Sequence, residues 1–334
     1  MTKTLIAAAL ALAIIGACRR GGAPSAPLAP HATAEGALRL PGFPSRDYWT
    51  RVGPTAALPL VSAHRGRPEL PSYPENALES IERLHEAGDF IAELDVQRSS
   101  DGVLFLFHDW DLDRLTVHAG DPGERTWADL DTMRLRDATG ALSPYTIPSL
   151  DEVLAFAKGR LLLSLDRKGA ATYDDLAAAA AARDMSDEVS LILYDAEDYL
   201  AYRALDRCPP MNQGVDTLPQ VRAMAAVCGE VFGDAPCPIN LFLGVGTLNR
   251  AVADAAAAAQ LRTILGTFGE LDAAARDDGG ATYRRLASKG VTVVATNLPL
   301  LAARALYGPL DNSDRVEGFG VRRLAPGENT PAPR

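Results

Sequence analysis

Four short polar clusters in the first half of the chain carry side chains that could do chemistry together: His64-Arg65-Gly66, Glu93-Leu94-Asp95, His108-Asp109 and Asp166-Arg167-Lys168. Each stands where a short apolar run ends. Side chains at i and i+2 of a strand share a face, so Glu93 and Asp95 project together and repel each other unless a cation lies between them. Asp166 can supply a third oxygen. Oxygen ligands without Cys or His favour a hard ion, calcium or magnesium, with water completing the shell. Taken alone, the same carboxylates would also suit ion pairs with Arg65 and Lys168. His64 and His108 can move protons near neutral pH if they face each other across a substrate. Arg65 suits a bidentate grip on phosphate oxygens, and Lys168 adds a second positive charge. A metal, two cations and two imidazoles fit displacement at phosphorus, where charge stabilisation and positioning supply most of the catalysis. His31, His85 and His118 fall in a polar lead-in, a helical stretch and a loop, and read as bystanders.

Groups this far apart in sequence need a scaffold that gathers strand ends. Strand-like apolar runs at 60–63, 90–96, 103–107, 161–165, 189–194, 211–215, 262–267 and 291–295 alternate with helical patterns at 76–87, 149–157, 173–183, 197–205, 219–227, 248–258 and 281–289. That alternation predicts parallel βα units, and eight strands predict a closed α/β barrel of the TIM type. All its strand ends open on one face, which would put the four clusters around one pocket. Thr172 followed by Asp175 is a helix-start signal. The segment 228–246 leaves open whether 239–243 is a further strand or part of an insertion. The long connection between His108 and Ser149, after the third expected strand, is predicted to be a loop that shapes the pocket.

The amino-terminal eighteen residues contain Lys3, an apolar run at 5–15 and a small-residue end, Gly16-Ala17-Cys18, the pattern of an export signal. The apolar run is too short to span a bilayer, which takes roughly 20 residues. Ile15-Gly16-Ala17-Cys18 resembles a bacterial lipobox, which predicts a lipid-modified Cys18, attachment to a membrane, and, with Arg at position 19, an outer-membrane location facing the periplasm. Residues 19–48 read as an Ala/Pro/Gly-rich tether, 49–310 as the folded domain and 311–334 as a polar tail. Cys208, Cys228 and Cys237 remain, and an oxidising compartment would let two pair and leave one thiol over. With 33 basic and 43 acidic residues the net charge is −10, which argues against a nucleic-acid partner. Nothing in the sequence fixes an oligomeric state.

The ordered series His64-Arg65-Gly66, Pro74-Glu75-Asn76, Glu93-Leu94-Asp95, Ser100-Asp101-Gly102, His108-Asp109 and Leu112-Asp113-Arg114-Leu115-Thr116 resembles the glycerophosphodiester phosphodiesterase family. The likeness runs over about 59–307, strong as far as Lys168 and loose over 184–261. It implies a TIM-type barrel and calcium- or magnesium-assisted hydrolysis of a glycerophosphodiester to glycerol 3-phosphate and an alcohol. His64 would attack, or activate the attacking hydroxyl, and His108 would protonate the departing oxygen. Glu93, Asp95 and Asp166 would hold the metal, Arg65 and Lys168 the phosphate, and Glu75 and Asn76 would orient the site. Two departures stand out: Asp166 replaces the family's usual Glu, and Leu265-Gly266-Thr267-Phe268 replaces a Trp-Thr pair, leaving the apolar wall unassigned. A phospholipase D or sphingomyelinase D type of lipid phosphodiesterase would share two histidines and a carboxylate-bound ion; Pro74-Glu75-Asn76 favours the glycerophosphodiesterases. A non-catalytic, lipid-anchored binding protein is opposed by the presence of every expected catalytic residue type.

Overall fold

A computed structural model describes residues 38–39, 59–206, 208–232, 237–308 and 322–323. The export signal, Cys18, most of the expected tether and most of the tail lie outside these residues. No described helix is long and apolar enough to cross a membrane.

Eight parallel strands close a barrel: β1 (Leu60–Ala63), β2 (Ile91–Arg98), β3 (Leu162–Arg167), β4 (Val189–Leu193), β5 (Met211–Gly214), β6 (Ile239–Val245), β7 (Arg262–Gly266) and β8 (Val293–Thr296). Their order around the barrel follows the chain. β8 pairs with β1, and Ser62 and Ala63 of β1 pair with Ile91 and Ala92 of β2 to close the ring. Alternation along each strand separates two cores. Leu60, Ile91, Leu162, Ile264 and Val293 fill the barrel interior, while Val61, Leu94, Leu163, Leu165 and Val294 pack outward against the helices. Helix starts are fixed locally: Ser149 with Glu152, and Thr172 with Asp175, each form a reciprocal capping box.

The number of staves is as expected, but one of them is not. The run at 103–107 contributes Leu104–Leu106, which pairs antiparallel with the end of β2. Residues 99–103 are too few for a parallel crossover, which needs about a dozen residues or more. The place in the barrel goes instead to Ile239–Val245, the stretch the sequence left undecided. Nor is the segment before Ser149 a plain loop. It carries an antiparallel ladder of Arg134–Arg136 with Leu142–Thr146 and a core of its own, including Phe105, Phe107, Leu112, Leu130 and Ile147. A helix at Glu270–Asp277, which the sequence pattern did not indicate, follows β7. Cys228 and Cys237 form a disulfide, and among the described residues no cysteine is free, so Cys208 is not a leftover thiol. Leu38–Arg39 pairs with Arg322–Arg323, a short antiparallel ladder within the expected tether and tail.

The turn after β1 is built on Gly66. Its φ is +61°, and a Cβ there would lie 2.6 Å from Leu94 Cδ2 and 2.9 Å from Ile81 Cγ1, both buried core atoms. Replacement therefore combines left-handed backbone strain with overpacking. Gly66→Ala should lower stability by about 2–4 kcal/mol in urea unfolding; a loss within experimental error would show that the turn relaxes freely.

Candidate active site

The mouth of the barrel collects β1, β2 and β3 side by side. Register pairs Asp95 with Asp166 across β2 and β3, and Glu93 points inward two residues before Asp95. One oxygen from each of Glu93, Asp95 and Asp166 lies within 4.8 Å of the others, and all three residues are buried. Burial, then the charges of Asp95 and Asp166, push the Glu93 carboxyl well above its ordinary range. Burial also raises Asp166, against the pull of Lys168. Asp166 Oδ1 is buried with no hydrogen-bond partner. Three converging carboxylates with an orphaned oxygen fit a hard divalent cation.

The cations expected nearby are present and only partly neutralise this cluster. Lys168 Nζ lies 2.6 Å from Asp166 Oδ2 and 3.6 Å from Asp95 Oδ1. Arg65 Nε lies 3.8 Å from Asp95 Oδ2. The ion pairs envisaged as an alternative to a metal therefore exist in part, yet they leave Glu93 strongly perturbed. Tyr194, at the end of β4, donates its hydroxyl to Asp166 Oδ2, and Lys168 Nζ sits 5.8 Å from its ring centroid.

Glu75 and Asn76 serve as scaffold. Asn76 is buried with φ +56°; it donates to Asp95 Oδ2 at 2.9 Å and accepts from the Asp95 backbone N–H at 3.1 Å. Those two bonds fix one carboxylate of the cluster. The Arg65 backbone N–H donates to Glu93 Oε2 at 2.8 Å and fixes another. Glu75 accepts from Arg65 Nη1 at 2.6 Å and from Arg114 Nη2 at 2.6 Å. Burial opposes its charge, but the bonds from the two guanidiniums outweigh it and hold Glu75 below the usual range.

The two histidines are wired differently. His64 Nδ1 is 2.8 Å from Asn297 Oδ1, so the ring donates at Nδ1 and its Nε2 is left with a lone pair. Phe268 stacks on it with ring centroids 4.1 Å apart, and burial lowers its pKa despite the Asn297 bond. His108 Nδ1 is 2.6 Å from Asp109 Oδ1, and Arg114 bonds the other Asp109 oxygen. Buried Gln97 donates to the carbonyls of Phe107 and Asp109 at 3.1 and 2.7 Å, pinning the His108 backbone to β2. A cavity of about 190 Å³ is lined by His64, Arg65, Arg67, Glu75 and Asn297. His108 reaches this group through the chain Asp109–Arg114–Glu75.

Asn297, Arg114, Tyr194, Gln97 and Phe268 carried no role in the sequence. Asn297 and Phe268 follow the ends of β8 and β7, a position that would have marked them had the barrel mouth been taken as a ring.

Residues 64–208 match the model of the glycerophosphoryl diester phosphodiesterase family. A glycerophosphodiester phosphodiesterase of Bacillus altitudinis is 38% identical over 105 residues, 30% of this chain and 40% of that protein. GDPD4 of Arabidopsis thaliana, also a glycerophosphodiester phosphodiesterase, is 37% identical over 101 residues, 29% of this chain and 30% of its own. The chain thus aligns with less than half the length of these relatives. Among solved structures, a glycerophosphoryl diester phosphodiesterase from Parabacteroides distasonis superposes with a TM-score of 0.68 at 22% identity, over 86% of this chain and 99% of that one. A phosphodiesterase from Oleispira antarctica, solved with sn-glycerol 3-phosphate, gives 0.56 at 21% identity over 75% and 98%.

The carboxylate cluster makes stability depend on pH in a defined direction. Glu93 and Asp166 bind protons more tightly in the fold than in the unfolded chain, so their contribution is complete below the ordinary carboxylate range and is lost as pH rises through their raised values. A cation between them removes that loss. The rise in Tm on adding calcium should therefore be larger at about pH 8 than at about pH 5, corresponding to about 2.7 kcal/mol at a hundredfold excess over Kd. A calcium response independent of pH, or intact in Asp166→Ala, would count against this site.

Proposed function

We propose that this chain, which matches the glycerophosphoryl diester phosphodiesterase family over residues 64–208, hydrolyses glycerophosphodiesters to glycerol 3-phosphate and an alcohol, with a divalent cation, calcium ahead of magnesium, and an acid–base pair of histidines. The observation that carries the reading is one barrel mouth holding a cation-ready carboxylate triad together with two imidazoles that have different hydrogen-bond partners, an amide oxygen for His64 and a carboxylate for His108.

Glu93, Asp95 and Asp166 would hold the cation, which supplies Lewis-acid stabilisation of the phosphoryl charge. Arg65 and Lys168 supply the fixed positive charges that hold the phosphate oxygens. His64, neutral through burial and committed at Nδ1 to Asn297, takes a proton at Nε2 from the attacking water as the new O–P bond forms. In its doubly protonated form His108 donates Nδ1–H to Asp109 and Nε2–H to the departing oxygen as the old P–O bond breaks. One proton taken and one given keep the step balanced. Asn76, Glu75 and Gln97 hold ligands, clamp and acid in place without touching the reacting atoms.

The same reading places the protein outside the cytoplasm, lipid-anchored through Cys18 in the outer membrane and facing the periplasm. The Cys228–Cys237 disulfide supports an oxidising compartment. Cys18→Ala should leave a soluble or unprocessed form with the barrel intact; mass spectrometry showing an unmodified mature amino terminus in the unsubstituted protein would refute the anchor.

The division of labour between the histidines is separable by leaving group. An activated aryl alcohol departs without protonation, so His108→Ala should lose on the order of a hundredfold more activity on glycerophosphocholine than on an aryl phosphodiester. His64→Ala should be poor on both. Equal losses for His108→Ala on the two substrates, or rescue of His64→Ala by the aryl group, would reverse the assignment. Full turnover in excess chelator would remove the metal from the mechanism.

A further inference from the structure

A second cavity, about 320 Å³, adjoins the one beside His64 and shares Arg67 and Asn297 with it. That volume is at the lower end of small-molecule sites, which span roughly 300–1,000 Å³. Its charged lining is Arg67, Glu69, Asp272 and Arg276. The two acids are already engaged. Asp272 Oδ1 accepts from the hydroxyls of Thr267, Tyr283 and Thr296 at 2.6, 2.9 and 2.8 Å, and Oδ2 from the Asn297 backbone N–H at 2.9 Å. Glu69 accepts from the Leu300 backbone N–H at 2.9 Å.

The two arginines are not engaged: neither makes a hydrogen bond or ion pair with a described residue. Burial, with Arg65 and Arg114 nearby, disfavours the charge on Arg67, and Glu75, the acid that offsets it, is already bonded to those same two arginines. Two guanidiniums with no hydrogen-bonded or ion-paired anion among the described residues, in a cavity that shares Arg67 and Asn297 with the one beside His64, offer donors to an anion.

We infer that this cavity binds a second phosphate of the substrate, one polyol unit away from the phosphate being cleaved. The inference rests on the proposed function and specifies its substrate class: polyol phosphodiesters with more than one phosphate. Arg276 is exposed on the helix Glu270–Asp277 and lies outside the reacting groups, so its variants should fold.

The test compares glycerophosphoglycerol with bis(glycerophospho)glycerol, which differ by one neighbouring phosphodiester. The calcium-loaded full chain should show a KM about tenfold lower for the longer compound, with kcat little changed. Arg276→Gln should erase most of that difference and Arg276→Glu reverse it, both leaving glycerophosphoglycerol turnover unchanged. Equal KM values for the two compounds, or a ratio unaffected by either substitution, would overturn the subsite. A calorimetric arm uses glycerol 1-phosphate and glycerol 1,3-bisphosphate, neither of which has a diester to cleave. Tighter binding of the bisphosphate that Arg276→Gln abolishes supports the subsite even if no diester is turned over, an outcome that would overturn only the proposed function. Identical binding of both compounds by the unsubstituted chain and the variant refutes the subsite.

Discussion

The repulsion among Glu93, Asp95 and Asp166 is the constraint around which the rest of the site is organised. Three buried carboxylates within 4.8 Å are unfavourable in any fold without a compensating cation. The barrel imposes that closeness through register: Asp95 sits opposite Asp166 because β2 and β3 pair in parallel, and Glu93 follows because strands alternate. Lys168 and Arg65 lower the cost without cancelling it. An oxygen left without a partner, Asp166 Oδ1, marks where the remaining compensation belongs.

Around that cluster the polar network divides into a rigid part and a shared part. Asn76 and the Arg65 backbone hold the carboxylates at fixed orientations. Glu75 joins Arg65 to the insertion that carries His108: it binds Arg65 on one side and Arg114 on the other, and Arg114 in turn binds Asp109. The insertion has its own apolar core, so His108 is delivered by a packed unit and not by a loose loop. Gln97 ties that unit back to β2. Displacing the insertion would therefore disturb His108 and Arg65 together.

Much of this was legible in the residues, for a physical reason. Side-chain alternation and strand-end position are strictly local rules, and they place Glu93, Asp95, His64 and Asp166 from sequence alone. The capping pair Thr172 and Asp175 is equally local. Apolar content does not distinguish a barrel stave from an antiparallel partner; for Leu104–Leu106 the distinction lies in the shortness of residues 99–103, too few for a parallel crossover. The stave Ile239–Val245 stayed ambiguous because its inward positions include polar Asn240, which bonds Asn212 and Arg262 inside the barrel. Asn297 and Arg114 were invisible as functional residues because their roles depend on partners 233 and 39 positions away.

The two halves of the barrel carry different parts of the work. Strands β1 to β3 and the insertion carry or adjoin Arg65, Glu93, Asp95, His108, Asp166 and Lys168, and the family model falls on residues 64–208. The later strands supply what surrounds the reacting groups: Tyr194 against Asp166, Phe268 against the His64 ring, and Asn297 fixing the His64 tautomer. Where the family pattern has a Trp-Thr pair, Phe268 stacks directly on the His64 imidazole. The cavity beside His64 shares Arg67 and Asn297 with the one that Arg276 lines, so charge as well as the Phe268 ring borders the imidazole.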